Sequence, residues 1–267
     1  YPLYPYLKLQ DYAQHMGPVP FEDVKKFATQ YQDTPAGLRM SYTWLRAQAA
    51  EGDWPMILKH YAPGQFGEEF DCIYYRAKYE TGDTANAFQG AEKLWNVGYP
   101  QSSACDELFE AWKAQHPIPE KLALERIEKS YRNNKPQLAA TLERYVSAER
   151  LPIVREWGDV YEDPSRINRT DRYLAWGNKA APLLTTGLER LAQRDPVQAG
   201  QLWKIYQPQI GFAKHEQQRI LFQIARFMMV NFSSDTEYWL NAALAVGASD
   251  VVPIGVRSAL RAQDWER

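Results

Sequence analysis

Cys72-Ile73-Tyr74-Tyr75-Arg76-Ala77-Lys78-Tyr79-Glu80-Thr81-Gly82-Asp83 decides the fold class. The stretch suits one helix, and its last two residues suit that helix's end. Glycine adopts the left-handed conformation that closes a helix without steric cost, and aspartate accepts hydrogen bonds from the first turn of a following helix. Helical periodicity continues on both sides. Phe88, Ala91, Leu94, Trp95 and Gly98 share one face of the next segment, and Leu138, Leu142, Tyr145 and Val146 share another. Ile220, Leu221, Ile224, Ala225, Met228 and Met229 cover so wide an arc that their helix should sit between others. Alternating strand patterns joined by Asn-Gly or Asp-Gly hairpins do not occur, so the class is all-α.

Thirty residues before Gly82-Asp83 stands Gly52-Asp53, preceded by Arg46-Ala47 as the later turn is preceded by Arg76-Ala77. A weaker echo is Arg257-Ser258 before Gln263-Asp264-Trp265. Helix, Gly-Asp turn and helix at a period near thirty predict an α-solenoid in the style of tetratricopeptide arrays. Unrelated helical hairpins that happen to end in Gly-Asp would give the same pattern. Further punctuation comes from Thr34-Pro35, Lys135-Pro136 and Asp195-Pro196, where proline stands at the first helical position and its missing N–H costs nothing. The prediction is a chain of short antiparallel helices.

The 267 residues contain no obvious mid-chain linker and suit one large or two modest domains. Hydrophobic residues make up 45% and charged residues 24%, the balance of a globular chain that is neither disordered nor collagenous. The most apolar stretch, Leu221 to Phe232, is interrupted by Gln223, Arg226 and Asn231, short of the ~18 apolar residues of a membrane span. With 31 basic against 33 acidic residues, no electrostatic footprint for a polyphosphate exists, so nucleic acid is not expected as a partner. The chain opens at Tyr1 with neither an initiator Met nor the regions of a signal peptide, which reads as a processed or cut-down segment.

Enzyme signatures are missing. No Gly-rich phosphate loop, Gly-x-Ser-x-Gly elbow, His-Glu-x-x-His or Cys-x-x-Cys occurs. His15, His60, His116 and His215 are dispersed, with no pair at helical ligand spacing, so no metal and no cofactor are expected. Glu68-Glu69 and Asp106-Glu107 stand where helices should begin, and there the helix dipole favours carboxylates. Cys72 and Cys105 flank one predicted helix, near residues 84–97. The helices on either side of it would run parallel, so both thiols would emerge at the same end of the array. A disulfide and two buried thiols both fit that placement.

The opening Tyr1-Pro2-Leu3-Tyr4-Pro5-Tyr6-Leu7 and the run from Leu38-Arg39 through Trp44-Leu45 to Gly52-Asp53-Trp54 carry a resemblance. So do Cys72 through Lys78, Ala91-Glu92-Lys93-Leu94-Trp95 and Ala104-Cys105-Asp106-Glu107-Leu108-Phe109-Glu110-Ala111-Trp112. Together, and in this order, they resemble the amino-terminal region of the soluble lytic murein transglycosylases; the likeness is strong over residues 1–112 and thinner from there to Arg267. The resemblance implies a right-handed α-superhelix, U- or ring-shaped, with residues 1–267 forming one such domain in the bacterial periplasm. Family members cleave the β-1,4 bond between N-acetylmuramic acid and N-acetylglucosamine of peptidoglycan, leaving 1,6-anhydromuramoyl ends. Their catalytic glutamate belongs to a separate carboxyl-terminal domain, in a Glu-Ser-x-aromatic motif followed by Gly-Leu-Met-Gln. Neither motif occurs here, so no catalytic residue carries over and this segment alone is expected to be inactive.

What does carry over is the cysteine pair. Cys72 and Cys105 both match family positions, which implies that they are bonded. The resemblance further implies two partners, the chain's own carboxyl-terminal catalytic domain and peptidoglycan glycan strands, with the protein a monomer. Trp44, Trp54, Tyr74, Tyr75 and Trp95 are the candidates to stack on sugar rings, against the plainer reading of each as a packing residue. The rival function is a helical-repeat adaptor that binds proteins or peptides.

Overall fold

The structure is a computed structural model that describes residues 2–14 and 19–262, and every regular element among these residues is helical. Two compact units, Tyr1–Ile118 and Pro119–Arg267, divide the chain. The first holds α1 (Tyr4–Gln14), α2 (Phe21–Gln30), α3 (Pro35–Glu51), α4 (Trp54–His60), α5 (Glu68–Glu80), α6 (Thr84–Trp95) and α7 (Asp106–Gln115). The second holds α8 (Glu120–Arg132), α9 (Pro136–Thr141), α10 (Leu151–Glu162), α11 (Thr170–Trp176), α12 (Ala181–Arg194), α13 (Pro196–Tyr206), α14 (Lys214–Val230), α15 (Thr236–Ala245) and α16 (Val252–Ala262). No described helix is long and apolar enough to cross a membrane.

The two Gly-Asp turns are the same structure. Gly52 and Gly82 have φ of 73° and 91°. The amide of the following aspartate reaches back across the turn, from Asp53 to the Gln48 carbonyl at 2.9 Å and from Asp83 to the Lys78 carbonyl at 2.8 Å. This closure satisfies carbonyls that the helix itself leaves without partners. It recurs at Asn134, Phe232 and Gly247, where the next residue's amide bonds to Ser130, Met228 and Ala243 at 2.8, 2.9 and 3.0 Å. Asn134 and Phe232 hold φ of 56° and 55° without being glycine, a conformation that asparagine tolerates and phenylalanine does not favour. The aspartates themselves differ. Asp53 caps α4 by accepting from the Met56 amide, whereas the Asp83 carboxylate is taken by Lys78 Nζ at 2.7 Å and Asn86 Nδ2 at 2.8 Å. The third echo, ending at Trp265, lies partly outside the described residues, and His15 lies outside them.

A period near thirty is nonetheless present, in the contacts. Side-chain hydrogen bonds join Tyr42 to Glu69 and Tyr99 to Glu68 in the first unit, at separations of 27 and 31 residues. In the second unit they join Glu120 to Ser147, Asn134 to Tyr161, Trp157 to Thr186, Glu189 to Arg219 and Gln218 to Val246, at separations of 27 to 30. Within each unit a residue therefore meets its counterpart one helical hairpin further along, as expected of stacked antiparallel pairs.

Prolines start helices as predicted, with Pro35, Pro136 and Pro196 in the first turns of α3, α9 and α13. The helix predicted through Leu138, Leu142, Tyr145 and Val146 does not form as one piece. α9 ends at Thr141, a 3-10 turn covers Glu143–Tyr145, and Val146 is extended. The Thr141 hydroxyl turns back to the Leu138 carbonyl at 2.7 Å, so at the break a short polar side chain bonds to its own helix backbone. α14 meets its expectation: Ile220, Leu221, Ile224, Ala225, Met228 and Met229 are buried, and α12, α13 and α15 pack around it.

Close approach of helices is bought by small residues. A Cβ added at Gly200 on α13 would come within 2.4 Å of the Trp239 ring, which is itself buried and cannot move aside cheaply. Gly255, inside α16, has nothing within 4 Å of that position. Both lie in the second unit, so one unfolding transition reads both. Gly200→Ala is expected to lower its stability by about 1–3 kcal/mol through overpacking, and Gly255→Ala to raise it by about 0.5–1 kcal/mol through helix propensity; urea midpoints of the two variants check the opposite signs.

Candidate functional site

Helix α5 carries the polar centre of the first unit. Its first turn holds Glu68, Glu69 and Asp71, as a helix N-terminus favours. Each carboxylate also accepts a tyrosine hydroxyl from another part of the unit. Tyr99 donates to Glu68, Tyr42 to Glu69 at 3.0 Å, and Tyr61 to Asp71 at 2.6 Å. Burial and the adjoining carboxylate push the Tyr42 and Tyr61 hydroxyls above the usual phenol range, and the Glu68 hydrogen bond does the same for Tyr99. The hydroxyls therefore remain donors at neutral pH. Sequence reading missed these clamps, because each partner lies on a different element.

One turn into the same helix, Cys72 is bonded to Cys105, with Cα atoms 4.9 Å apart and both residues fully buried. Cys105 ends the 3-10 turn Ser103–Cys105 and immediately precedes α7, so the bond ties α5 to the start of α7 across the intervening α6.

The five aromatic candidates divide. Trp44 is 1% exposed, donates its indole N–H to the Val19 carbonyl at 2.8 Å and packs on Phe21. Trp95 is 4% exposed and packs edge-on to Trp112. Neither offers a ring face to a ligand, and both are corrected to core residues. Tyr75 is half-buried with its ring against Gly90, where an added Cβ would come within 2.2 Å; this ring serves the approach of α6 to α5. Tyr74 and Trp54 are half-buried and carry cations, Lys78 Nζ at 5.5 Å from the Tyr74 ring and the Arg76 guanidinium at 4.8 Å from the Trp54 ring. Arg76 also pairs with Glu107 at 2.5 Å. Of the five, Trp44 and Trp95 are buried, and Trp54, Tyr74 and Tyr75 are half-buried, with Trp54 and Tyr74 packed on one side against the core of the unit. A groove of about 700 Å³ over α6 and α7, lined by Phe88, Trp112 and His116 with Gln89, Glu92 and Lys93, was not anticipated.

The second unit contains two ion networks, one around the buried Glu156 and one around the half-buried Arg219. The Glu156 carboxylate is 3% exposed and receives Arg166 at 3.0 Å, Arg172 at 2.7 Å and the Tyr173 hydroxyl at 2.9 Å. Burial alone would raise its pKa, but these donors outweigh burial and hold it below the ordinary carboxylate value. Arg219 on α14 bridges Glu128 on α8, at 2.5 Å, and Glu189 on α12, at 2.6 Å. A cleft of about 420 Å³ lies beside α8 and α10, floored by Leu124, Ile153, Val154 and Trp157 and rimmed by charges of both signs. Among the described residues no cluster of His, Cys, Asp and Glu is arranged to hold a metal ion.

No family model matches the chain. Over 168 residues it is 31% identical to the soluble lytic murein transglycosylases of Salmonella typhimurium and Escherichia coli K12, covering 62% of this chain and 26% of each relative. The chain thus spans about a quarter of the length of the curated relatives it matches. Among solved structures, an inactive mutant of the lytic transglycosylase Slt from Pseudomonas aeruginosa superposes with a TM-score of 0.79 at 26% identity, over 91% of this chain and 39% of that one. The 70 kDa soluble lytic transglycosylase of Escherichia coli shares the fold, with a TM-score of 0.66 at 24% identity over 97% of this chain and 42% of that one.

Two predictions follow from the bonds at these centres. Replacing Cys72 and Cys105 together by serine should cost about 3–4 kcal/mol, the chain-entropy value for a loop of 33 residues; a reductant should lower the melting temperature of the parent chain and leave that of the double variant unchanged. Because the folded pKa of Glu156 is depressed, its contribution is present above the unfolded value of 4.5 and is lost as pH falls through the folded value. Glu156→Gln should therefore destabilise the second unit by about 3 kcal/mol at pH 7 and flatten its loss of stability on acidification below about pH 5, as thermal melts across pH will show.

Proposed function

We propose that this chain, a relative of the soluble lytic murein transglycosylases in sequence and in fold, is the non-catalytic superhelical part of such an enzyme. The supporting observation is the agreement of two likenesses, one in sequence to the curated transglycosylases and one in fold that extends over 91% of the chain. In this reading residues 1–267 belong to one superhelical domain that supports and positions a carboxyl-terminal catalytic domain on peptidoglycan. The whole enzyme cleaves the bond between N-acetylmuramic acid and N-acetylglucosamine to leave 1,6-anhydromuramoyl ends, and this segment contributes no catalytic group. It works as a monomer in the periplasm. The bonded cysteines accord with an oxidising compartment.

Trp54 and Tyr74 are the surface aromatics this reading assigns to the glycan. A half-buried ring flanked by a cation can stack on the C–H face of a sugar while the cation donates to a hydroxyl. The second half of the proposal, support of another domain, draws on an apolar ridge along the last helix. Val252, Val256 and Leu260 recur at every fourth position of α16 and are each about half exposed. A ridge at this spacing is the surface a further helix packs on.

Co-sedimentation of the oxidised chain with insoluble peptidoglycan sacculi, at two salt concentrations and beside an unrelated helical protein, tests the reading. Saturable binding above the control is expected, reduced several-fold in the Trp54→Ala/Tyr74→Ala double variant. Absence of wall binding together with stoichiometric co-purification of a protein partner would replace it with the adaptor reading.

A further inference from the structure

We infer that the second unit contains a binding pocket for the free carboxylate end of a short peptide, built on Arg190 and Arg132. The pocket, of about 280 Å³, lies where α8, α12 and α14 come together, and its polar lining includes Arg132, Arg190, Arg219, Glu189, Asn134 and Gln223. Three guanidinium groups thus face one carboxylate, in a chain whose formal charge is -2.

The three arginines are not equivalent. Arg219 is saturated, donating to Glu189 through Nε and Nη2 and to Glu128 through Nη1. That arrangement engages Glu189, the one carboxylate of the wall, together with Glu128 outside it, and leaves none for the other two. Arg132 and Arg190 form no ion pair among the described residues. Arg190 lies over the Tyr161 ring, its guanidinium carbon 3.9 Å from the ring centre, and its Nε is buried without a hydrogen-bond partner among the described residues. Tyr161 is itself fixed, its hydroxyl donating to Asn134 Oδ1 at 3.0 Å, and Asn134 sits in a left-handed turn. The cation is therefore pre-aimed by a stack whose far end is anchored, and little rotamer freedom remains to be lost on binding.

A buried N–H without a partner is costly, and so is a half-buried cation such as Arg190 held without an anion. An incoming group that accepts two parallel hydrogen bonds removes both costs, and a carboxylate matches the guanidinium fork. The wall also offers the opposite chemistry. Gln223 Oε1 is buried and accepts from no group among the described residues. A ligand that presents a carboxylate with an N–H donor close beside it satisfies both groups at once, and the last residue of a peptide has that pairing. The pocket is at the small end for a ligand site, so it takes a chain end rather than the middle of a chain. The inference stands on this pocket's chemistry and not on the wall-binding reading above.

The test is titration of the intact oxidised chain with N-acetyl-alanyl-alanine as the free acid and, separately, as its carboxyl-terminal amide, followed by calorimetry and by amide chemical shifts. The acid is expected to bind with millimolar affinity and to shift resonances around Arg190 and Gln223, and the amide to bind at least about tenfold more weakly. Arg190→Lys keeps the charge but removes the fork and should weaken the acid by about tenfold. Arg132→Gln, at an exposed position that does not threaten folding, should weaken it by a few-fold. Equal binding of acid and amide, binding of neither, or unchanged affinity in both variants would overturn the proposal, whatever the chain does on sacculi.

Discussion

A helix that must be followed at once by another running back along it has to dispose of its last carbonyls within two or three residues. The left-handed closure meets that constraint at five junctions between the described helices. At Gly52, Gly82, Asn134, Phe232 and Gly247 the same backbone bond reverses the chain. Each reversal sets the hairpin length, and hairpin length sets which side chains meet. The hydrogen bonds that span 27 to 31 residues follow from this geometry. Glycine makes the turn without strain, asparagine at modest cost, and phenylalanine at a greater one, with the Phe232 side chain largely exposed.

Much of this was legible in the sequence, for reasons that also mark where legibility stops. The glycine turns and proline starts are local signals and were read correctly. Asn134 and Phe232 carry the same turn without its usual residue, so composition concealed them. The break after Thr141 was also hidden, since an apolar face at helical spacing continues through it. Trp44 and Trp95 were nominated as ligand contacts because residue type and spacing do not say which side of a helix meets another helix. Trp54 and Tyr74 gave the same signal yet stayed near the surface. The cysteine pair became legible through resemblance, since spacing alone left a disulfide and two thiols equally open.

The tyrosine clamps on α5 and the ion networks around Glu156 and Arg219 belong to a different class. Each is made by groups from separate helices, and no pattern within one helix announces them. Their roles in the two units also contrast. In the first unit neutral hydroxyls satisfy carboxylates that the α5 dipole already favours. In the second, guanidinium groups offset the burial that would raise the pKa of Glu156, and the ion pairs of Arg219 leave two neighbouring arginines without an ion pair among the described residues. Arg132 is exposed and solvated, whereas Arg190 is half-buried with a buried Nε, so the unmatched donor capacity that works against the fold is that of Arg190.

The recurring separation of about thirty residues also bears on how the chain folds. When most tertiary contacts reach only one hairpin ahead, the entropy lost in closing each loop is small and is recovered at once by the contacts the loop makes. Ordering can then begin at any well-capped hairpin and spread to its neighbours, without waiting for distant segments to find one another. The Cys72–Cys105 bond, itself 33 residues long, closes a loop of the same size, so oxidation fixes an arrangement that local folding has already brought together rather than imposing a long-range search.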